Sequence, residues 1–459
     1  MKQLIASLFM LLALPCGATT YFMANAVGGG NDSNNGLSSG APWLTPNHAV
    51  NCGDLISAAP GAYSASNLGY NSWGVVTCAA SNNVAWVKCA TFDACTVAIS
   101  GSGFGIDIDR SFWGIQGFEV DGTSTNWACF VAWPNHGTEV HHVIFANDIA
   151  IGCGQGGISP GGTSGAAGVD YGIVLGSISY NAASRSDGCY SGIDTFEPVA
   201  SDTLPGTHFY FAGNFAFGNV DASTCAGGSP TDGEGLFFDT INGISYTQQM
   251  VMDNNIAVFN GGRGIMAYAN NGAKVYFRHN TAAMNNTQAA QKDLGICGEI
   301  TVDTAPYVEA FGNIGVTGTP QVGCAGNTIY GFVVALGNGT DHVYQNDGNT
   351  FGTVSSTGYS AGPNNITTDP AFANPVAPGS PSCSGKASVP DCMSTVIANF
   401  TTTNAAAKAY GYQVPSSTNV YDPLYPQWLC SVTNLPTGLV TPGCVVAGSS
   451  TASGTASMK

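Results

Sequence analysis

Charge is what this sequence has least of. Asp, Glu, Lys and Arg make up 8% of its 459 residues, against about a quarter in typical soluble chains. Helices with solvated charged faces cannot be its main building material. Basic residues are scarcest, with eleven Lys and Arg against 28 Asp and Glu, for a net charge of −17. A nucleic acid partner needs a basic surface, so that class is set aside. An anionic polysaccharide would be repelled at long range unless cations bridge it, and a neutral one would not. Long apolar stretches are missing too. The run from Leu4 to Leu14 follows Lys2 and precedes the small residues of "CGA" at 16–18. It is shorter than the roughly 20 residues of a membrane span and reads as a secretory signal peptide over residues 1–18. The expectation is a protein that is secreted, extracellular or periplasmic, with no membrane span. Metal-type CxxC pairs are absent as well. Beyond Cys16, fourteen cysteines remain, and in an exported chain they read as disulfides. Pairing of sequence neighbours would join Cys52–Cys78, Cys89–Cys95, Cys129–Cys153, Cys189–Cys225, Cys297–Cys324, Cys383–Cys392 and Cys430–Cys444.

Glycine is plentiful, at 62 residues, and Asn, Ser, Thr and Ala fill much of the rest. This suits many short strands joined by tight turns. A repeat organises them. Residues 214–219 read "NFAFGN", 255–260 "NIAVFN" and 280–285 "NTAAMN", with similar filler after Asn147, Asn181 and Asn313. These six Asn recur every 25–41 residues, which is solenoid spacing. Short alternating strands precede them ("HVIFAN", "FYFAGN", "VYFRHN"). A second strand follows ("SGIDTFEP", "GEGLFFDT", "RGIMAYAN", "GEITVDT"). Stacking such coils as parallel rungs about 4.8 Å apart puts equivalent positions into rows. Asn147, Asn181, Asn214, Asn255, Asn280 and Asn313 are then expected to form an internal amide ladder, bonding buried backbone and one another.

The opening stretch resembles that of secreted right-handed parallel β-helix proteins of the pectate-lyase-like superfold, through "GNDSNNG", "APWLTPNHAV", "GDLI" and "APGAYS". "TDPAFANPVAPGSP" near 368 resembles their closing segment. The resemblance covers about residues 21–413. It implies an all-β fold, a right-handed parallel β-helix with an N-terminal cap and a disulfide-rich C-terminal region, and a polysaccharide partner. The domains expected are a signal peptide (1–18), a cap (19–100), coils (101–350), a C-terminal region packed on the helix (351–447) and a disordered tail (448–459), in a monomer. The superfold hosts lyases, hydrolases, esterases, epimerases, tailspikes and adhesins. Neither the "NTD…DD…GHG…RIK" series of polygalacturonases nor the "WIDH" and "RxPxxR" motifs of common pectate lyases occurs, so no catalytic residue is carried over.

Candidate sites therefore come from the rows. Aligned second strands place Phe196, Asp239, Tyr268 and Asp303 in one outward row, with Asp194, Phe237, Met266 and Thr301 in another. Two rungs separate Asp239 from Asp303, or about 9.6 Å, close to the roughly 6.5–9.5 Å between the carboxylates of inverting glycosidases. The turn "SPTDGEGLFFDT" gathers Asp232, Glu234 and Asp239, a possible Ca²⁺ set through carboxylate oxygens or the seat of a general acid or base. Arg263 falls in the matching turn one coil on, as a sugar clamp or as an ion-pair partner of the acidic turn. Lys274 is a candidate base, although it aligns with His141 and His208 on another face. Arg278 should stack on Asp253 as an ion pair. Phe237, Tyr268 and Glu197 are the expected substrate contacts. The leading functional expectation is a polysaccharide lyase-like enzyme, with Ca²⁺ and Arg263 neutralising a uronate and Lys274 or Tyr268 as base. An inverting glycoside hydrolase using Asp239 and Asp303 is the alternative, and a non-catalytic extracellular glycan-binding or structural protein is the third reading.

Overall fold

Strands of three to seven residues, each too short to be stable alone, dominate the chain. The computed structural model describes residues 18–444 apart from internal stretches, the longest being 336–342, 352–361, 415–421 and 437–443. The signal peptide (except Ala18) and the tail at 448–459 lie outside the described residues. The strands form parallel sheets of eleven, ten and eight members, and each coil contributes one strand to each sheet in turn. Val140–Ala146, Ile149–Ile151 and Ile158–Pro160 make one coil, and Val169–Leu175, Ile178–Tyr180 and Ile193–Phe196 the next. This is a parallel β-helix. The first sheet already begins at Thr20–Met23, Leu55–Ala58 and Ala85–Cys89, whereas the third begins only at Ile106–Ile108.

The corners explain the repeat. Between the first and second sheets the chain turns through a residue of positive φ on seven successive rungs: Gly117, Asn147, Gly176, Gly213, Asn254, His279 and Gly312. Gly and Asn tolerate that conformation best. The residue after it points inward. There Asn214, Asn255, Asn280 and Asn313 form a ladder, each amide donating to the next at 2.9–3.0 Å. Asp148 and Ser177 continue it downward: the Ser177 hydroxyl accepts from the Asp148 N–H, and the Asn214 carbonyl accepts from the Ser177 N–H. A second ladder stands at the next corner. Asn219 donates to Asn260 and Asn260 to Asn285, at 2.9 and 2.8 Å, and Asn285 donates to Glu299 at 2.6 Å. The two Asn of "NFAFGN" thus serve two ladders, one at each end of a three-residue strand. Asn147 and Asn181 do not belong to the ladder expected of them. Both are the positive-φ corner residues themselves, with φ of 53° and 55°.

The lumen is one apolar core running from Met23 to Phe332. Six of the expected disulfides are formed: Cys52–Cys78, Cys89–Cys95, Cys129–Cys153, Cys297–Cys324, Cys383–Cys392 and Cys430–Cys444. Cys189 is disulfide-bonded, and Cys225 lies outside the described residues. Two of the three outer faces are covered by the C-terminal region. Val389, Met393, Val396 and Phe400 pack on Ile149, Ile178, Phe215 and Ile256 of the second sheet. Leu424, Tyr425, Leu429 and Val432 pack on Ile144, Ile173, Tyr210 and Val251 of the first. Arg278 pairs with Asp253 as expected and also holds Asp422 at 2.6 Å, tying this strap down. Among the described residues no helix is long and apolar enough to cross a membrane. Among the described residues, the C-terminal region does not pack on the outer face of the third sheet.

Candidate active site

A groove of about 830 Å³ lies on that outer face. It spans six rungs, from Phe104 before the first strand of the sheet to Tyr268 on its sixth. Phe104, Trp127, Trp133, Tyr190, Phe196 and Tyr268 wall it with flat rings, and Asp194, Asp232 and Asp239 place carboxyl groups in it. Among the described residues, its lining holds no Lys, Arg or His.

Strand register fixes the geometry. Asp194 pairs with Phe237, and Phe196 with Asp239. Tyr268 pairs with Asp303 and follows Ala267, which pairs with Phe238. Asp239, Tyr268 and Asp303 therefore share one outward row, as their spacing requires. Asp194 and Asp239 stand diagonally on adjacent rungs, about 8 Å apart at the backbone. Asp194 was not singled out from sequence. The row alignment shows it outward, but only the groove shows that it faces Asp239.

Burial governs the protonation of these acids. It raises Asp194 to about 7, with Glu234 adding repulsion and a hydrogen bond from the Ser159 hydroxyl opposing it. Burial likewise raises Asp239 to about 7, against a 2.8 Å bond from the Thr240 hydroxyl and with repulsion from Asp194 and Glu234. Asp232 is pushed well up by burial and by Glu234, Asp239 and Asp221. Asp303 is raised by burial and accepts from Thr304 at 2.9 Å, the same Asp-Thr arrangement two rungs away. Glu197, Thr240, Ala269 and Thr304 follow their strands at one corner, all with φ near 50°. Glu197 sits half-buried there, its N–H donating to the Asp239 carbonyl.

Other expected residues are placed differently. Glu234 is fully buried beside the groove. Its oxygens accept from Ser191 at 2.8 Å and from Arg263 at 2.9 Å, and Arg263 is 1% exposed. The row Ser191–Glu234–Arg263 is thus an internal ion-pair stack, and Arg263 acts as the partner of the acidic turn and not as a sugar clamp. The Ca²⁺ set of Asp232, Glu234 and Asp239 does not converge. Among the described residues the only candidate ligand group within 4.8 Å is Cys189, Asp221 and Asp232, and Cys189 is in a disulfide. Phe237 does point outward, but it is 4% exposed, in an apolar patch that begins with Met266 beside it on the next rung. It forms the floor of the sheet face, while Phe196 presents the exposed ring. Lys274 starts a strand of the first sheet beside Gln249, facing Glu309. It does not join the groove.

The fold and the groove together define a parallel β-helix with a carboxylate-bearing, aromatic-walled cleft on its third sheet. Comparison with solved structures agrees on the fold. The chain is similar to pectate lyase Pel9A, at 14% identity and TM-score 0.51, covering 89% of this chain and 92% of that one. It is also similar, at TM-score 0.41 and 15% identity, to a rhamnogalacturonan lyase, covering 78% of this chain and 91% of that one. A third likeness is to the A-module of a mannuronan C-5 epimerase of Azotobacter vinelandii, with TM-score 0.36, 14% identity and coverage of 69% and 91%. No protein-family model and no curated protein matches the sequence.

Proposed function

We propose that this protein cleaves a glycan laid along the third sheet, using Asp194 and Asp239 as an acid–base pair. The observation that carries this reading is their placement on adjacent rungs of an aromatic-walled groove, both raised to about 7. Two such carboxyls repel each other, so one keeps its proton near neutral pH. The protonated member can donate to the glycosidic oxygen. The ionised member can take a proton from a water attacking the sugar from the opposite face. Their backbones stand about 8 Å apart, and in an inverting pair the attacking water sits between the two carboxyls. Phe196 and Tyr268 stack on sugar faces. Asp303, one rung beyond Tyr268, extends the row and is the alternative partner of Asp239. Export from the cell belongs to the same reading, supported by the disulfides and the N-terminal apolar run.

A lyase is the second reading, favoured by the structural likeness to pectate lyase Pel9A. It needs a cation against the uronate and an accessible base. Arg263 is buried in its ion pair and Lys274 is on another sheet, which weakens it. The two are separated by incubating the protein with neutral, aminated and uronate polysaccharides, with Ca²⁺ or with chelator. Reducing ends without ultraviolet-absorbing unsaturated products are expected, independent of Ca²⁺. Unsaturated product appearing only with Ca²⁺ would replace the hydrolase by the lyase. Binding without cleavage of any substrate would leave a glycan-binding module. Asp239→Asn and Asp194→Asn should each lower kcat about 10²–10⁴-fold, while Lys274→Ala should leave it unchanged.

A further inference from the structure

Resting on the reading of the groove as a glycan site, its charge bears on which glycan it takes. Among the described residues, eighteen line the groove; three are Asp and none is basic. The nearby cations, again among the described residues, are already paired with carboxylates. Arg263 is held by Glu234. Arg185 lies over the Trp127 ring, 5.9 Å from its centre, and pairs with Asp187. Asp232 and Asp239 also repel each other across the wall, and Asp194 repels Asp239 across the floor. A uronate chain would bring one more carboxylate per sugar into this field and would find no counter-charge. A chain of ammonium-bearing sugars would meet the opposite situation. The groove runs across the rungs, and an extended sugar chain advances per residue by a length close to one rung. Successive ammonium groups would then fall beside Asp194, Asp232 and Asp239 while the ring faces lie on Tyr190, Phe196 and Tyr268.

We propose that the groove selects a polysaccharide carrying free amino groups, of the 2-amino-2-deoxyhexose class, over its N-acetylated and uronate counterparts. The charge pairing is made inside a partly desolvated cleft, where it counts for more than on an open surface. It also carries a signature that mere packing would not. An ammonium seated between two carboxyls favours their ionised forms, so binding releases protons to solvent.

The test measures binding of glucosamine hexamer, N-acetylglucosamine hexamer and galacturonate hexamer to the wild-type protein by calorimetry at pH 5.5, where the amines are charged. The expected result is at least tenfold tighter binding of the aminated hexamer than of the acetylated one, with galacturonate weakest. The same titration in buffers of different ionisation heat should show net proton release for the aminated hexamer alone. Asp232→Asn should reduce the ratio of the two affinities about fivefold or more. Equal or tighter binding of the acetylated or uronate hexamer, or no proton release, overturns the proposal without touching the acid–base reading. Selective binding of the aminated hexamer with no glycan cleaved by the wild type would leave the proposal standing and remove the acid–base reading. No binding of any hexamer would remove both.

Discussion

At the scale of single residues, the strongest test of the architecture is Arg263. Its guanidinium is buried, and so is Glu234 opposite it. Removing one partner of a buried pair leaves an uncompensated charge, typically at a cost of about 3–5 kcal/mol. Arg263→Met should therefore lower the denaturation midpoint strongly. Adding Glu234→Gln should recover part of the loss, because the orphaned charge goes with it. If the double variant is as unstable as the sum of both singles, the pair is not the unit described here. The same residues show what sequence can deliver. Row alignment is enough to place Asp239, Tyr268 and Asp303 together, because a parallel register carries equivalent positions directly above one another. It also puts Glu234 and Arg263 one above the other. It cannot say how deep they sit, because burial depends on the neighbouring turns, and this turned an apparent sugar clamp into an internal bond. Phe237 misled for a similar reason. Its outward direction was legible, but its burial comes from the apolar patch it shares with Met266 and Tyr268 on the next rung.

At the scale of elements, the ladders hold the corners. Asn255 both donates to and accepts from its neighbours through backbone and side chain, at 2.9–3.0 Å throughout. Its site is inaccessible to water. Asn255→Ala would leave the Asn214 backbone N–H and one of the two hydrogens of its side-chain amide without an acceptor, each worth about 1–3 kcal/mol when buried without a partner. A loss of at least about 2 kcal/mol by denaturant unfolding is expected, and Asn260→Ala in the second ladder should behave alike. Loss below about 0.5 kcal/mol in both would mean that the ladders are ornaments of a frame held by apolar packing alone. The existence of a ladder was legible because stacked rungs repeat their requirements. Its lower end was not. Asn is chosen both for inward bonding and for positive φ, so Asn147 and Asn181 look like ladder members while Asp148 and Ser177 hold the ladder positions.

At the scale of the whole molecule, protonation decides stability, because so many acids are buried and so few bases answer them. Burial pushes Asp107, Glu119 and Glu299 up to about 8, and Asp194 and Asp239 to about 7. Glu119 is also raised by a hydrogen bond and repulsion from Asp93. In the unfolded chain such groups release their protons near pH 4. Above that pH the folded state binds more protons than the unfolded one, and stability falls as pH rises through 7 to 8. His142 acts on the other side. Burial, and then His141, hold it down to about 3, under the stacked Tyr171 ring. The unfolded chain takes up that proton near pH 6.5, so its own contribution falls from pH 6.5 toward 3. Five such acids outweigh the one histidine, so stability peaks near or below about pH 4, where the unfolded chain begins to release its carboxyl protons. The Tm should be higher at pH 5 than at pH 8 by on the order of 5 °C, and His142→Phe should flatten the acid limb without moving the alkaline one. A Tm that rises from pH 5 to pH 8 would mean that the groove and lumen acids are ionised in the folded protein. Asp194 and Asp239 could then no longer divide into one proton donor and one acceptor near neutrality, so the thermal profile also checks the chemistry proposed for the groove.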